Sequence, residues 1–535
     1  MKAFLMHRDR DFDLERPSPG IEADLKKDLA LELLFVAMAN GDTFVFEVAQ
    51  KAVLAGVGER LETITYRQAA VKDAIRNPST MRQFYGLAQE ALQRQKKVWP
   101  RYREYPSGTL DTAVEHMAIF VDVLKRLRDL ADRNAEAFQS EAFTNLCRML
   151  ARELDGAYFK LIDSHLKRLK FRDGVLVSVG LGKGVKGANY VLRRPLKPSG
   201  SWFARIFRRG PVGYSLRLAP RDEAGAKAMS ELRDRGLGLA ADALAKSAEH
   251  ILSFFRMLQT ELAFYIGCVN LHERLLEIVA PFTFPAAKPF QPYRLSCAGL
   301  YDVCLALSMN RRIVGNDVEA DGKNLIVVTG ANQGGKTTFL RSVGLAQLMM
   351  QCGMFAPASR LEASMVDGLF THFKREEDAT MKSGKFDEEL SRMNDIANRL
   401  THHGSILFNE SFAATNEREG SEIARQIVSA VLEGGRRVAF VSHQFAFTNA
   451  MYESGRDSTL FLRADRQEDG RRTFRLTVGK PLATSFGEDV YREVFLRDAA
   501  EQHSIARHTP ASIGRFDAEK DAWSDEGTDY ARARK

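Results

Sequence analysis

The stretch GANQGGKT at residues 330–337 constrains the fold of this chain more than any other feature. It matches the pattern G-x-x-x-x-G-K-[ST], and it lies between the apolar run LIVV and the helical pattern TTFLRSVGLAQLMMQ. A strand, a glycine-rich turn and a helix in this order predict a loop whose backbone N–H groups face a phosphate group. The following helix, which we expect to begin at Thr338, would point its positive end at the same phosphate.

The residues of this loop have distinct expected roles. The glycines let the backbone approach an anion closely, Lys336 places a positive charge on the β and γ phosphates, and the Thr337 hydroxyl is suited to Mg²⁺. The predicted nucleotide contacts from this loop are Gly330, Asn332, Gly334, Gly335, Lys336, Thr337 and Thr338.

A second glycine pattern, GKGVKG at residues 182–187, matches the dinucleotide fingerprint G-x-G-x-x-G. That fingerprint has to open a helix, whereas here it is followed by ANYVLRRP, which alternates like a strand and ends at a proline. We therefore interpret residues 182–187 as the turn of a hairpin.

Three buried-strand patterns, NLIVVTG, GSILFNE and RRVAFVSH, are separated by helical runs in the second half of the chain. This alternation predicts an α/β domain with a mostly parallel sheet.

The segment ILFNESFAATNEREG at residues 406–420 contains the candidate second half of a nucleotide-hydrolysis site. In such sites an acidic residue at the end of a buried strand holds Mg²⁺, usually through a water, and the next carboxylate polarises the attacking water. Here Asn409 takes the first position and Glu410 the second. His443 ends another predicted strand, where a histidine can sense the γ phosphate, although a lone histidine is more often structural.

The sequence TNEREG within that segment predicts the start of a helix. Asn416 can cap this helix, and Glu419, three residues later, completes a capping-box pattern. Such a helix start is an additional anion site that could face the γ phosphate of a second subunit, while an ordinary cap explains the same residues.

Helical periodicity runs through most of residues 20–160 and returns between Pro220 and Pro281. An unbroken helix from about residue 240 to 278 would span roughly 58 Å. Gly236 and Gly238 could mark a kink or the start of that helix.

Between the helical stretches, residues 171–220 alternate apolar residues with glycines and predict short antiparallel strands. Only Asp173 opposes the many basic residues of this segment, so we interpret it as a basic β tip carried between long helices, with a solvated basic face as the alternative. Its candidate nucleic-acid contacts are Lys183, Lys186, Arg193, Arg194, Arg208 and Arg209.

The totals are those of a globular chain, with 535 residues, a net charge of +8 and five scattered cysteines. The cysteine pattern favours a reduced, cytoplasmic environment, and no apolar run reaches the roughly 18 residues of a membrane span. The expected organisation is a helical core at 1–110, lever helices at 111–170, the basic tip at 171–220, a returning lever helix at 221–285, an α/β domain at 286–500 and a disordered tail at 501–535.

The order of these motifs resembles the MutS family of mismatch-repair ATPases. The resemblance rests on TGANQGGKTTFLRSVGLAQLMMQCGMFAPA, LFTHF, SGKFDEELSRMNDI, ILFNESFAATNEREG, FVSHQF and TSFGEDVY, and it covers about residues 290–490. A shorter segment, IVGNDV at 313–318, looks like the family's segment against the adenine and adds Asn316 to the nucleotide contacts.

The resemblance implies an ABC-type ATPase that uses ATP and Mg²⁺ and works as a homodimer whose helical levers close around double-stranded or branched DNA. It makes Glu410 the catalytic carboxylate and His443 the switch histidine, with Lys336 on the phosphates and Asn409 near Mg²⁺ through a water. The loop that acts on the partner's nucleotide carries Thr415, Asn416 and Gly420, and the family usually has Ser at the position of Asn416.

The chain also departs from the family's pattern. The helical core begins near its start, so we expect the family's mismatch-reading and connector domains to be missing. The C-terminal sequence shows no pattern of a nuclease domain, so we do not expect one there. The expected function is a DNA-stimulated ATPase clamp in repair or recombination without intrinsic mismatch reading. Asn409 leaves open a slow or non-hydrolysing nucleotide-gated clamp, and branched DNA, structured RNA and ribosomes remain alternative ligands.

Overall fold

A 55-residue helix, Glu223–Glu277, is the longest element of the computed structural model. The structure describes residues 1–15, 22–99, 105–171, 174–194, 215, 217–375, 384–468 and 470–483. Residues Met1–Ser485 form one compact unit, and a second unit, Phe486–Lys535, lies outside the described residues together with the predicted tail. Among the described residues, no helix combines the length and apolar character needed to cross a bilayer.

The N-terminal half of the described chain is helical, as the periodicity predicted. Eight helices precede the hairpin in this part of the chain: α1 (Glu22–Asp28), α2 (Leu31–Ala39), α3 (Thr43–Ala55), α4 (Leu61–Arg76), α5 (Pro78–Lys96), α6 (Pro106–Asn134), α7 (Glu141–Glu153) and α8 (Gly156–Leu169). The long helix, α9 (Glu223–Glu277), packs along α2 to α6 and buries its apolar residues from Ile251 to Leu275 among them.

Helix α9 begins earlier than the sequence indicated and runs about 82 Å at 1.5 Å per residue. A helix start at Gly236 or Gly238 is wrong, since the helix continues through both positions. Gly236 instead allows a close approach, because a Cβ atom there would lie 2.5 Å from Cγ2 of Val177 in the neighbouring hairpin. Gly238 has no such neighbour.

That hairpin consists of β1 (Leu176–Leu181) and β2 (Gly187–Arg193), which pair in antiparallel register from Leu176–Arg193 to Leu181–Gly187. The GKGVKG pattern forms its turn, in which the Gly182 N–H donates to the Lys186 carbonyl at 2.7 Å. Gly184 has a φ of +71°, which glycine adopts without strain. The interpretation of this pattern as a hairpin is confirmed.

The second half of the described chain contains two sheets. A six-stranded sheet has the order β12-β11-β6-β10-β9-β8, parallel except for β12, and a four-stranded mixed sheet has the order β3-β7-β4-β5. The strands are β3 (Ala286–Lys288), β4 (Leu295–Leu300), β5 (Asn316–Glu319), β6 (Leu325–Gly330), β7 (Arg360–Ser364), β8 (Leu369–Phe373), β9 (Ser405–Asn409), β10 (Arg437–Val441), β11 (Thr459–Arg466) and β12 (Arg472–Val478).

Helices alternate with these strands, as expected for an α/β domain. They are α10 (Val303–Met309), α11 (Lys336–Gln351), α12 (Lys385–Arg399), α13 (Glu417–Glu433) and α14 (Phe445–Glu453). Helix α11 lies where the helical region meets the large sheet. A Cβ atom at Gly344 would lie 2.8 Å from Leu407 of β9 and 2.9 Å from Leu29, so both regions pack closely against this helix.

Candidate nucleotide-binding site

A cavity of about 840 Å³ opens where β6, β9 and β10 end at their carboxyl ends. Parallel α/β sheets bind ligands at this edge because loops and helix N-termini converge there. Nine of the residues that the sequence analysis assigned to the site line this cavity: Asn316, Asn332, Gly334, Gly335, Lys336, Thr337, Thr338, Glu410 and His443. Gly330 and Asn409 end β6 and β9 and are not among the lining residues, but each is hydrogen-bonded to a residue that is.

The glycines of the loop are required by close contacts and by backbone conformation. Gly330 and Gly335 have φ angles of +105° and +87°, and a Cβ atom at Gly334 would lie 2.7 Å from the Ala464 side chain. Helix α11 begins at Lys336 and not at Thr338 as we expected, because Gly335 caps it in the left-handed conformation. The loop therefore presents its backbone and the positive end of α11 to the cavity.

Lys336 is buried under this loop, with 5% of its surface exposed. Its Nζ donates to the carbonyl oxygens of Gly330 at 3.1 Å and Ala331 at 2.8 Å. Burial lowers the pKa of Lys336 to about 8, and the negative charge of Glu410 opposes that shift. A poorly solvated ammonium group beside a glycine loop suits an anionic phosphate, so the residues present fit a nucleotide.

Thr337 and Asn409 join the two halves of the site. The Thr337 hydroxyl donates to Oδ1 of Asn409 at 2.9 Å, which connects the first turn of α11 to the end of β9. A hydroxyl and an amide oxygen are ligands that Mg²⁺ accepts, but the amide lacks the charge of a carboxylate. These residues fit a magnesium ion with less electrostatic attraction than an aspartate at position 409 would give.

Glu410 and His443 face each other at the cavity, with 3.0 Å between Oε1 of Glu410 and Nε2 of His443. This hydrogen bond to His443 is the main cause that lowers the pKa of the Glu410 carboxyl, so the group is ionised at neutral pH. The Glu410 backbone is left-handed, with a φ of +53°, and its N–H donates to the Val441 carbonyl at 2.9 Å. The carboxylate is thus placed and charged as a general base requires.

The antiparallel strand β12 supplies residues that the sequence analysis missed. Phe474 and Arg475 line the cavity, and Nε of Arg472 donates to the carbonyl of Asn332 at 3.0 Å. Asn316, predicted to contact a nucleotide, uses its amide to hold this strand, donating to the Phe474 carbonyl at 3.3 Å and accepting from the Leu476 N–H at 2.7 Å. In the sequence, these residues of β12 stand out only as the basic run RRTFR, which matches no nucleotide-binding motif.

The predicted cap of α13 is confirmed, with Oδ1 of Asn416 accepting from the Glu419 N–H at 3.0 Å. Glu419 directs its carboxylate to the Thr415 hydroxyl at 2.9 Å, which is not the partner that a capping box predicts. Position 420 has no room for a side chain, since a Cβ atom at Gly420 would lie 2.2 Å from the Phe412 carbonyl oxygen. The action of Thr415, Asn416 and Gly420 on a second protomer stays a prediction.

Four of the predicted nucleic-acid contacts lie on the hairpin. Lys183, Lys186, Arg193 and Arg194 are exposed, and Nε of Arg193 donates to the Ser178 hydroxyl at 2.5 Å. Arg208 and Arg209 lie outside the described residues.

Comparison with family models gives two matches on this chain. The model described as MutS2 N-terminal domain matches residues 59–278, and the model described as MutS domain V matches residues 326–501. The chain belongs to the MutS family. The MutS domain V range contains the glycine loop, Glu410 and His443, whereas the hairpin lies in the MutS2 N-terminal range.

Curated MutS-family proteins resemble parts of the chain. A DNA mismatch repair protein MutS of Chloroflexus aurantiacus is 31% identical over 141 residues, 25% of this chain and 15% of that protein. The DNA mismatch repair protein MutS of Porphyromonas gingivalis is 29% identical over 220 residues, 40% of this chain and 24% of that protein. Endonuclease MutS2 of Lacticaseibacillus casei is 31% identical over 172 residues, 32% of this chain and 22% of that protein. The chain therefore spans less than a quarter of each of these relatives.

The shifted pKa of Lys336 predicts how nucleotide affinity depends on pH in this MutS-family site. Below about pH 8 the free protein already carries the ammonium, so affinity for ADP should be constant. Above about pH 8 binding must take up a proton, because phosphate oxygens raise the pKa of a nearby lysine. The affinity should fall as the pH rises, by up to about tenfold per unit. Calorimetric titrations between pH 7 and 9.5 measure this dependence.

The Lys336→Arg variant is the control, because a guanidinium group keeps its charge throughout that range. Its affinity should be weaker or equal at pH 7 but independent of pH. A wild-type affinity that stays constant up to pH 9.5 would contradict the predicted coupling to Lys336.

Proposed function

We propose that this MutS-family chain binds ATP in the described cavity, hydrolyses it slowly, and uses the nucleotide to control a clamp on DNA. The observation that carries the proposal is the position of Glu410. Its ionised carboxylate faces the same cavity as the glycine loop and is held 3.0 Å from His443.

Each residue has a role in this proposal. Lys336 and the N–H groups at the start of α11 bind the phosphates, and Glu410 takes a proton from the attacking water. His443 holds the Glu410 carboxylate through their hydrogen bond. Thr337 and Asn409 would hold Mg²⁺, which when bound neutralises charge on the phosphates and orients them.

Replacing Glu410 with glutamine tests the proposed hydrolysis. The Glu410→Gln variant keeps the shape of the side chain but cannot accept a proton, so the steady-state ATPase rate should fall by about 10²- to 10⁴-fold. Nucleotide affinity should change little, because Lys336 and the loop are intact. The measurement is phosphate release at saturating ATP, with nucleotide affinity determined in parallel.

Glu422→Gln is the matched control for that variant, since Glu422 is an exposed carboxylate of α13 paired with Arg425. It should retain the wild-type rate. Equal rates for wild type and Glu410→Gln would eliminate Glu410 as the catalytic base.

A second candidate function is a nucleotide-gated clamp with almost no turnover, and Asn409 is the observation that favours it. The amide oxygen already receives the Thr337 hydroxyl and brings no negative charge to the metal position. Changes in residues that support a metal typically cost about 10- to 100-fold in metal affinity or activity. Since Glu410 is still present, we favour slow hydrolysis over none.

The Asn409→Asp variant separates these two candidates. An added carboxylate should lower the Mg²⁺ concentration for half-maximal ATPase activity by about 10- to 100-fold if the metal is loosely held by the wild type. The Thr337 bond should persist, because a carboxylate oxygen accepts as an amide oxygen does. The measurement is the ATPase rate as a function of Mg²⁺ concentration.

Asn145→Asp serves as the control, since it makes the same amide-to-carboxylate change at an exposed position of α7 that does not line the cavity, where the residue already accepts from Arg148. It should leave the Mg²⁺ dependence unchanged. An unaltered Mg²⁺ dependence in Asn409→Asp would refute the weakened metal site. If the wild type does not hydrolyse ATP and Asn409→Asp does, the second candidate function is favoured.

We place DNA binding on the exposed basic hairpin, and we propose a homodimer in which two such hairpins and their α9 helices enclose the duplex. Side chains of lysine and arginine on a hairpin suit the phosphate backbone of either double-stranded or branched DNA, and they carry no base specificity. Lys183, Lys186, Arg193 and Arg194 support this placement because all four are exposed.

Removing these four charges tests the placement. Replacing Lys183, Lys186, Arg193 and Arg194 with glutamine should weaken DNA binding equally for unrelated sequences. The slope of log K against log salt should flatten by about 0.9 for each lost phosphate contact. Fluorescence anisotropy with labelled duplexes at several salt concentrations measures the slope.

A control variant should remove the same charge elsewhere, at Lys27, Arg148, Arg152 and Arg399, which are exposed and outside the hairpin. Its slope should stay close to that of the wild type. If both variants flatten the slope alike, net charge and not the hairpin governs binding.

A further inference from the structure

The residue that follows Glu410 is a buried serine with an unusual partner. Ser411 is 1% exposed and His372, at the end of β8, is fully buried. Nδ1 of His372 lies 2.8 Å from the Ser411 hydroxyl oxygen, and that hydroxyl also lies 2.5 Å from the His372 carbonyl oxygen. Two contacts therefore join β8 to the residue next to the proposed general base.

The other ring nitrogen fixes the tautomer of His372. Its Nε2 lies 3.0 Å from the Glu389 carbonyl oxygen in α12, and since a carbonyl can only accept, Nε2 carries a proton. Burial lowers the pKa of His372 to about 4, so the ring is neutral and Nδ1 is an acceptor. The Ser411 hydroxyl can thus donate either to Nδ1 or to the His372 carbonyl, and both acceptors belong to His372.

The backbone around Ser411 needs such support. Glu410 and Phe412, on either side of it, have φ angles of +53° and +62°. Left-handed conformations of this kind are unfavourable for residues other than glycine, and they persist only where neighbours impose them. His372 also stacks on the Phe412 ring with 5.2 Å between centroids, so one side chain contacts two consecutive residues of this loop.

We propose that His372 is a positioning residue for ATP hydrolysis, which holds the backbone of Glu410 in place through Ser411. Its side chain does not line the cavity, and its ring is held by α12 on one side and the loop on the other. This inference rests on the proposed function, in which Glu410 is the general base.

Two substitutions at one position divide the contacts of His372. In His372→Asn the amide occupies the place of Nδ1 and can still bond Ser411, whereas in His372→Gln it occupies the place of Nε2 and can bond only the Glu389 carbonyl. Ser411→Ala removes the link to Nδ1 from the other side, together with the contact to the His372 carbonyl. The experiment measures kcat and KM for ATP, nucleotide affinity and the midpoint of thermal unfolding for these variants and for the double variant Ser411→Ala/His372→Gln.

We expect His372→Gln and Ser411→Ala each to lower kcat by about ten- to a hundredfold, with KM and nucleotide affinity close to wild type. The double variant should be no slower than the slower single variant, because both remove one shared link. His372→Asn should retain kcat within about threefold. If His372→Gln fails to fold, Ser411→Ala and His372→Asn carry the test.

A kcat for His372→Asn as low as that for Ser411→Ala would overturn the proposal, as would wild-type kcat in Ser411→Ala or additive losses in the double variant. The ATPase rate of Glu410→Gln, measured in the same experiment, distinguishes failure of the proposed function from failure of the proposed role of His372. If Glu410→Gln hydrolyses ATP at the wild-type rate, the proposed function fails. If Glu410→Gln is inactive while Ser411→Ala keeps its kcat, only the role of His372 fails.

Discussion

The hydrogen bond between Thr337 and Asn409 joins the two halves of the candidate site, and the geometry around it depends on this contact. It fixes the first turn of α11, and with it the buried Lys336, relative to the end of β9. Glu410 directly follows β9, so the same bond contributes to the position of the proposed general base relative to the glycine loop. An aspartate would make this bond equally well, which explains why the substitution at 409 changes charge and not architecture.

Partly buried ion pairs extend that framework into the helical region. Arg375, just beyond β8, lies 2.6 Å from Asp24 and 2.7 Å from Asp28, both in α1. Burial raises the pKa of Asp28, and Arg375 opposes that rise. Because an uncompensated buried charge costs several kcal/mol, the carboxylates hold α1 against β8 only while the arginine is present. The strand that carries His372 is thereby held between α1 and the loop of Glu410.

The sequence predicted the features that depend on neighbouring residues. The glycine loop, the order of strands and helices, the Asn416 cap and the hairpin turn at 182–187 all follow from local patterns, and the structure has each of them. The membership in the MutS family was likewise recognisable from short motifs in their order. Helix boundaries were less accurate, since α11 begins at Lys336, two residues earlier than expected, and α9 starts well before residue 240.

Contacts between residues distant in sequence could not be predicted. Gly236 looked like a helix breaker, yet its role depends on Val177, 59 residues earlier, which no periodicity connects to it. Arg472 and Phe474 reach the glycine loop only because β12 pairs antiparallel to β11. The link from His372 to Ser411 joins β8 to the loop after β9, and in the sequence each residue looked like part of a separate motif.

Helix α9 gives the candidate site and the basic hairpin one shared element. It meets the hairpin at Gly236, and near its other end Nη2 of Arg274 donates to the Asn310 side chain at 2.8 Å. Asn310 ends α10, whose residues Leu305 and Met309 line the nucleotide cavity. The two contacts lie 38 residues apart, about 57 Å along a helix. A clamp controlled by nucleotide requires a rigid connection over such a distance, and a helix whose backbone bonds are internal provides one without intermediate joints.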